Sequence, residues 1–256
     1  MHNDLLKINA KEEAEKITAF IKTALAKQKI KKVVVGVSGG VDSVTCLYLL
    51  KNSVPLENIN VIHLPYFDNY QSDISKIAED AHLSNKQLTT ISIRPIVDSI
   101  IKTLNIPDGD VIRKGNVMAR VRMIALFDSA KKLNALVCGT ENRSEYHLGY
   151  FTRFGDEASD IEPLRQLYKT QIYELAKYLQ VPQGIIEKPP SANLWENQTD
   201  EDELGFSYVE ADPVLYLYFD KKVSVEDIQK QGFKDAKKII DFAEKNSYKH
   251  NAPYTL

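Results

Sequence analysis

The chain has 256 residues, of which 43% are hydrophobic and 27% are charged, and its formal net charge is -2. These values are typical of a globular protein with a sizeable core. The near-neutral charge predicts no general attraction to nucleic acid or to an anionic membrane. The two cysteines, Cys46 and Cys138, form no C-x-x-C pair, which disfavours a zinc site or a disulfide framework.

The N-terminal segment 1–20 carries charges throughout and lacks the apolar centre of a secretory signal peptide. No stretch approaches the roughly 18 consecutive apolar residues of a membrane-spanning helix. We therefore expect a cytoplasmic protein with no membrane partner and with reduced, buried cysteines.

Helical and strand patterns alternate along the first 104 residues. Apolar residues at helical spacing cover 11–28, 43–53, 72–83 and 95–104, and apolar runs typical of buried strands cover 31–37, 58–64 and 88–93. This alternation predicts a parallel sheet with helices on both faces, which is an α/β fold.

The second half of the chain continues the pattern less regularly. Residues 105–115 are rich in turn formers, a helix pattern covers 116–133, and a fourth strand is predicted at 135–140. Residues 141–168 show little periodicity, and a helix is predicted at 169–180. The tail has one or two more helices, one of them opening with the capping-box sequence SVED at 224–227. No repeat or linker divides the chain, so we expect a single domain over residues 1–256.

The sequence GVSGGVDS, residues 36–43, joins the first predicted strand to the second predicted helix. A helix N-terminus has unpaired N–H groups and a partial positive charge, and adjacent glycines let a phosphate approach the backbone. Asp42 would repel a phosphate unless a cation lay between them, so we interpret it as a Mg²⁺ ligand. The loop is neither G-x-x-x-x-G-K-[ST] nor G-x-G-x-x-G. The alternative interpretation is an ordinary turn of small residues.

This loop resembles the pyrophosphate-binding loop (PP-loop) of the ATP pyrophosphatase superfamily. The loop alone does not choose among NAD synthetases, GMP synthetases, asparagine synthetases and tRNA-modifying enzymes. Three further segments resemble those of the ammonia-dependent NAD synthetases. They are KGNVMARVRM (114–123), CGTENRSEYHLGYFTRFGDEASDIEPL (138–164) and a long polar loop at about 187–205. In that family the long loop closes over ATP as a mobile lid.

The resemblance covers nearly the whole chain and implies a Rossmann-like open twisted parallel sheet of the adenine nucleotide alpha-hydrolase type. It implies a ligase that forms a C–N bond, amidating deamido-NAD to NAD with ammonia and ATP. The reaction passes through an NAD-adenylate, releases AMP and pyrophosphate, and is the last step of NAD biosynthesis. The resemblance also implies a homodimer with shared active sites and no nucleic-acid partner.

The resemblance assigns site residues one by one. The ATP contacts would be Gly36, Val37, Ser38, Gly39, Gly40, Val41, Asp42, Ser43, Thr140, Lys169 and Ser191. The deamido-NAD contacts would be Arg120, Phe151, Arg153, Asp160, Tyr248 and Lys249. Asp42 and Glu145 would hold Mg²⁺, and Asp156 and Lys169 would act as catalytic residues beside the reacting carboxylate and ammonia.

Two departures from the family pattern concern the substrate contacts. His63 stands where many members carry arginine, and the segment 61–73 lacks the usual glycine after Pro-Tyr. Tyr248 stands where a histidine opens the His-Lys-Arg stretch that reaches into the partner's site. Two alternatives stay open, namely another ATP pyrophosphatase and a catalytically inactive nucleotide-binding module on the same fold. Neither cysteine is placed as a glutaminase nucleophile, which favours free ammonia as the nitrogen donor.

Overall fold

The computed structural model describes residues 5–67, 71–195, 197–251 and 253. In this part of the chain, four strands form one parallel sheet. They are β1 (Lys32–Gly36), β2 (Ile59–His63), β3 (Leu88–Thr90) and β4 (Ala135–Cys138). Their order is β3-β2-β1-β4, so the chain moves outward from β1 on one side and returns to its other side with β4. A crevice for a ligand is expected at such a reversal, beyond the carboxyl ends of β1 and β4.

The described ranges contain twelve α-helices, some of which cover both faces of the sheet. They are α1 (Ala10–Gln28), α2 (Val41–Ser53), α3 (Gln71–Asp80), α4 (Arg94–Thr103), α5 (Val111–Leu133), α6 (Arg143–Leu148), α7 (Lys169–Tyr178), α8 (Gln183–Ile186), α9 (Asp200–Leu204), α10 (Tyr208–Leu215), α11 (Val225–Lys230) and α12 (Ala236–Asn246). A π-helical turn, Tyr216–Asp220, follows α10, and a 3-10 turn, Ser247–His250, follows α12. None of the helices in the described ranges is both long and apolar enough to cross a membrane.

The side chains of β1 show how the sheet is buried on both faces. Val33 and Val35 pack into the core formed with α1, α2 and α7, whereas Val34 packs into the core formed with α4 and α5. Successive side chains of a strand point to opposite faces, so an unbroken Val-Val-Val run suits a strand that is covered on both sides. The expected α/β fold is confirmed.

A third core lies away from the sheet. The C-terminal helices α10 and α12 pack on α6 and α7, and they bury a separate apolar cluster that includes Leu148, Leu204 and Leu215. These helices therefore contact α6 and α7, the two helices that follow β4 and that carry Glu145 and Lys169.

Three expectations about the elements were wrong. The segment expected to be turns up to residue 115 contains the first turn of α5, which begins at Val111 because the Asp110 side chain accepts a hydrogen bond from Arg113 N. The aperiodic segment 141–168 contains α6, held by a capping box between Asn142 and Glu145. The tail holds three α-helices within the described ranges, not one or two.

Candidate active site

The loop after β1 has the backbone features of an anion site. Gly39 has a φ of +89°, a backbone conformation that favours glycine. The Ser43 hydroxyl donates to the Gly40 carbonyl oxygen at 3.0 Å and accepts from Ser38 N at 3.3 Å, which closes the turn. Gly40 precedes α2 and has no side chain to cap it, so no capping side chain competes for the N–H groups of the first turn.

A cavity of about 740 Å³ opens at the carboxyl ends of β1 and β4. This volume lies within the usual range for a small-molecule site. The whole loop 36–43 lines the cavity. So do the other residues that the sequence assigned to ATP, to the metal or to catalysis, which are Thr140, Glu145, Asp156, Lys169 and Ser191. Residues far apart in the chain thus meet at the predicted sheet edge.

Lys169 is the central charge of the cavity. It is the first residue of α7 and only 2% exposed, and its Nζ lies 2.6 Å from Asp42 Oδ2 and 3.2 Å from Glu145 Oε1. Burial by itself would lower the pKa of Lys169, but the two carboxylates raise that pKa well above its ordinary value. The side chain is therefore a permanent ammonium that bridges the two carboxylates expected to hold the metal.

The capping box of α6 fixes the second carboxylate. Asn142 Oδ1 accepts from Glu145 N at 3.0 Å, and Asn142 Nδ2 donates to Asp42 Oδ1 at 3.0 Å. Burial raises the pKa of Glu145, the negative charge of Asp42 adds to this, and Lys169 opposes it. A cation that approaches Glu145 would therefore favour its ionised form, as expected at a site that binds a metal together with a substrate.

Asp156 lies in the loop after α6, with its carboxyl on the cavity wall. Thr152 N donates to Asp156 Oδ1 at 2.9 Å. The residue is exposed to the solvent of the cavity, yet the protein around its carboxyl raises the pKa of Asp156, while the hydrogen bonds from Thr152 and then the charge of Arg122 oppose the rise. Arg122 extends from α5, lines the same cavity and donates through Nε to the Leu64 carbonyl oxygen at 3.1 Å.

The sequence motifs did not indicate Arg122, and the resemblance assigned Arg120 to the substrate instead. Residues two apart on a helix point in nearly opposite directions. Accordingly, Arg122 faces the cavity while Arg120 is exposed and donates to the Arg153 carbonyl oxygen at 3.2 Å. The helical phase relative to the buried Met118 and Val121 was the signal that distinguishes the two arginines.

None of the six residues assigned to deamido-NAD lines this cavity. Three of them form a cluster near the surface, in which Arg120 contacts Arg153 and the Arg153 guanidinium lies 5.8 Å from the centre of the Tyr248 ring. Asp160 instead accepts a 2.7 Å hydrogen bond from Val137 N in β4. Their roles toward deamido-NAD stay predictions.

The remaining two, Phe151 and Lys249, are joined to each other. Lys249 Nζ donates to the carbonyl oxygens of Gly149 at 2.6 Å and Phe151 at 2.9 Å, and it lies over the Phe151 ring. His250 Nε2 lies 2.6 Å from the Tyr146 carbonyl oxygen. The tail expected to reach a partner subunit thus fastens to residues 146–151 of its own chain. Ala252 and residues 254–256 lie outside the described residues.

His63 is buried at the end of β2 and lines the cavity. Its Nδ1 lies 3.0 Å from the Val37 carbonyl oxygen, and burial lowers the pKa of the ring, so His63 is neutral at physiological pH. It therefore brings no positive charge to this part of the cavity wall. Residues 68–70, which belong to the segment 61–73 that departs from the family pattern, lie outside the described residues.

The long loop covers the cavity in this structure, since residues 188–194 and 197–200 line it. Asp200 anchors the end of the loop, where α9 begins. Its two carboxylate oxygens accept from Tyr208 at 3.0 Å and Tyr150 at 3.2 Å. The loop ends in four consecutive acidic residues, 200–203, and the sequence does not show that the first of them is buried beneath two tyrosines. The mobility of the loop stays a prediction.

A further pair of carboxyl groups supports the end of β4. Glu162 accepts from Ser159 Oγ at 2.7 Å and from Glu141 N at 3.1 Å, while Glu141 Oε2 lies 2.6 Å from Arg165 Nη2. Burial raises the pKa of Glu141 to about 9, and Arg165 opposes the rise. A Cβ on Gly139 would collide with the Glu162 carboxylate, so this position requires glycine.

Comparison with known proteins identifies the family. A family model described as NAD synthase matches residues 13–253. An NH(3)-dependent NAD(+) synthetase from Fusobacterium nucleatum is 40% identical over 253 residues, covering 97% of this chain and 96% of the relative. One from Pyrococcus furiosus is 43% identical over 242 residues, covering 93% and 90%.

Solved structures agree. An NMN synthetase from Francisella tularensis superimposes with a TM-score of 0.81 at 32% identity, covering 98% of this chain and 99% of that one. An NH3-dependent NAD synthetase from Campylobacter jejuni, in complex with the nitrate ion, gives 0.79 at 28% identity, covering 97% and 100%. The resemblance seen in the motifs is confirmed, and the chain belongs to the NAD synthase family.

Proposed function

We propose that this protein is an ammonia-dependent NAD synthetase, a ligase that amidates deamido-NAD at the expense of ATP. The observation that carries the proposal is the meeting of Lys169, Asp42 and Glu145 at the PP-loop, in a chain that matches the family over residues 13–253. The products are NAD, AMP and pyrophosphate, and the reaction completes NAD biosynthesis.

In the first step, the nicotinate carboxylate attacks the α phosphorus of ATP, which forms the NAD-adenylate and releases pyrophosphate. Two polyanions must meet in this step. The loop 36–43 offers backbone N–H groups to the phosphates, and Lys169 and Arg122 add positive charge from the cavity wall. The protein contributes mainly positioning and charge stabilisation.

Mg²⁺ fits the residues present on one condition. Asp42 and Glu145 already flank one cation, the Lys169 ammonium, but the described residues include no cluster of three or more His, Cys, Asp or Glu side chains suited to a metal. Protein sites often hold Mg²⁺ by one or two carboxylates together with substrate phosphates. We therefore assign these two side chains to a metal that binds with ATP, where it would offset phosphate charge.

In the second step, ammonia attacks the acyl carbon of the adenylate and displaces AMP. The nucleophile must be neutral, whereas ammonium predominates at neutral pH. Asp156 lines the cavity, and burial raises its pKa, so it is suited to bind ammonium and accept a proton from it. The covering loop would exclude water from the adenylate, which hydrolysis would otherwise destroy.

We also propose a homodimer with shared active sites. The support is exposed apolar side chains on α5, where Ile112 is 67% exposed and Ile124 is 58% exposed. Arg120 lies four residues before Ile124 on the same side of the helix, so Ile124 lies beside a residue assigned to deamido-NAD. A second copy that covered Ile124 would bring its own residues to that cluster.

A cytoplasmic location is proposed from the thiols. The Cys46 and Cys138 sulfur atoms lie 3.4 Å apart and are both free. Thiols this close persist where the compartment is reducing.

The deciding experiment is an assay of NAD formation from deamido-NAD, ATP and Mg²⁺, with ammonium or glutamine as nitrogen donor. We expect NAD with ammonium, and one pyrophosphate released for each NAD. Nicotinate mononucleotide and xanthosine monophosphate serve as competing substrates. Faster turnover of either one would contradict the proposed substrate, and pyrophosphate release without any acceptor would contradict the coupled reaction.

A further inference from the structure

Asp212 is a buried carboxylate that belongs to α10, outside the cavity lining. Asp212 is fully buried, with 0% of its surface exposed. Oδ1 accepts from Ser144 Oγ at 2.6 Å, and Oδ2 accepts from Thr170 N at 2.8 Å. Ser144 Oγ accepts in turn from Lys169 N at 2.8 Å. A single carboxylate thus joins three helices at the residue whose ammonium bridges Asp42 and Glu145.

We propose that Asp212 is a positioning residue for the reaction, which fixes through Ser144 and Thr170 the backbone from which Lys169 reaches Asp42 and Glu145. The inference rests on the proposed function, because it takes Lys169 to act in the amidation. The C-terminal helices would then contribute to the chemistry, although they lie far along the chain from the PP-loop.

The first turn of α7 explains why an anion is needed. The first N–H groups of a helix have no partner within the helix, and the partial positive charge there favours a carboxylate. Tyr168, the residue before α7, donates its hydroxyl to Asp220 at 3.0 Å. The local capping contact runs from Tyr168 N to Gln171 Oε1 at 2.9 Å and leaves the N–H groups of Lys169 and Thr170 to other acceptors. Asp212 therefore replaces a local cap, directly at Thr170 and through Ser144 at Lys169.

The charge of Asp212 is consistent with this role. Burial raises its pKa to about 6, while the hydrogen bonds from Ser144 and Thr170 and the charge of Lys169 oppose the rise. At neutral pH the side chain is thus a carboxylate with both oxygens accepting. Lysine has a long, flexible side chain, so an ammonium held 2.6 Å from Asp42 depends on a fixed backbone.

The test is Asp212→Asn in the full chain. The amide has the shape of the carboxyl group, but its NH₂ must face either the Ser144 hydroxyl or the Thr170 N–H, so a donor replaces an acceptor. We expect kcat for NAD formation to fall by roughly 100-fold, the loss typical of a misplacement by about 1 Å. The KM for ATP should change less than kcat, since the backbone N–H groups of the loop 36–43 remain in place for the phosphates.

Two variants separate positioning from stability. Ser144→Ala removes one arm of the network and should lower kcat by about tenfold, and the double variant should be no slower than Asp212→Asn because both changes break one network. Val214→Ala, a buried change on α10 that leaves the network intact, should lower the melting temperature while kcat per folded molecule stays at the wild-type value.

An unchanged kcat in Asp212→Asn, or single-variant losses that multiply in the double variant, would overturn the proposal. A crystal structure of Asp212→Asn gives a readout that does not depend on activity. We expect Lys169 Nζ to have moved away from Asp42 Oδ2, and an unmoved ammonium refutes positioning. If the wild-type protein makes no NAD, the proposed function fails, and the crystal structure still decides the role of Asp212.

Discussion

Lys169 shows how one residue organises the cavity. Its ammonium stays protonated although it is buried, because two carboxylates from different segments, Asp42 and Glu145, stabilise the positive charge. Removing one member of a buried charge group leaves the others poorly compensated. Substitutions at this triad should therefore affect the reaction much more than their size suggests.

Asp42→Ala should abolish pyrophosphate release from ATP. The variant removes a proposed metal ligand and one of the two carboxylates on Lys169, and we expect a loss of at least about 1,000-fold by analogy with removal of charge-stabilising groups. Circular dichroism should show a retained fold. Asp42 borders the open cavity, so water can take the place of its carboxylate in the variant. The exposed Asp241→Ala is the control, and it should keep full activity. Near-normal turnover in Asp42→Ala would contradict the metal role.

Asp156→Asn should slow amide formation more than adenylation. The amide cannot accept a proton from ammonium, but it leaves the PP-loop and Lys169 in place. Rapid-quench measurement of adenylate and NAD in a single turnover would show adenylate accumulating. Hydroxylamine, which is neutral at neutral pH, should restore much of the rate as the hydroxamate. Equal slowing of both steps, without rescue, would count against the proton-accepting role.

His147 predicts a pH dependence of stability. Burial, with the charge of Arg143 adding to it, lowers its pKa to about 4 from an ordinary 6.5. The unfolded chain binds a proton there below about pH 6.5 and the folded chain does not, so the free energy of unfolding falls as pH drops from 6.5 toward 4. The loss by pH 5 is about 1–2 kcal/mol.

The variant His147→Phe isolates this effect. The His147 ring stacks on Phe219 at 4.4 Å between centroids, and phenylalanine can keep that contact. Urea unfolding at pH 7 and pH 5 should show a smaller loss of stability in the variant than in the wild type. Identical losses in the two proteins would mean that His147 does not titrate as expected.

At the scale of elements, the short helices after β4 and the covering loop are held by side chains from other parts of the chain. The α6 capping box joins Asp42 through Asn142, and the start of α9 is held by Tyr208 and Tyr150 through Asp200. An element of five or six residues has little stability of its own. The geometry of the site is thus set by these tertiary anchors.

Tyr208→Phe should loosen the covering loop. The variant keeps the buried ring and removes the hydroxyl that donates to Asp200 at 3.0 Å. We expect the adenylate to be lost to water, so that AMP forms in excess of NAD by several-fold. The ratio of AMP to NAD by chromatography measures this directly. Tyr218→Phe, which removes a hydroxyl bound to Glu244, is the control and should keep a ratio of one.

At the scale of the whole molecule, the cavity and the residues assigned to deamido-NAD are separate. The former is lined within one chain, whereas three of the latter, Arg120, Arg153 and Tyr248, form a cluster near the surface, beside the exposed Ile124 of α5. This separation is what a site completed by a second copy would require. Loss of the dimer should therefore weaken the binding of deamido-NAD more than the binding of ATP.

Ile124→Glu should disrupt the proposed dimer. The carboxylate introduced at position 124 would have to be buried in the interface without a partner. Light scattering coupled to size exclusion should show a dimer for the wild type and a monomer for the variant, with the KM for deamido-NAD raised about tenfold or more. Phe20→Glu, an exposed apolar position on α1, is the control. A monomeric wild type with full activity would refute shared sites.

The sequence by itself determined the α/β fold, the parallel sheet and the glycine-containing loop between β1 and α2. These follow from local patterns: a Val-Val-Val strand, helices of 3.6-residue period, and two glycines at a helix start. It also named part of the cavity wall, because the motif resemblance assigns the loop 36–43 and Thr140, Glu145, Asp156, Lys169 and Ser191 one by one. The short helix α6 and the first turn of α5 were missed because each depends on a cap and not on periodicity.

Only the tertiary structure decided which arginine faces the cavity, how Lys169 is shared between Asp42 and Glu145, and that Asp212 supports it. These facts depend on helical phase and on contacts between segments far apart in sequence, where a change of one residue turns a side chain to the opposite side. Burial decides the charge state of each group, and burial exists only once the chain has folded.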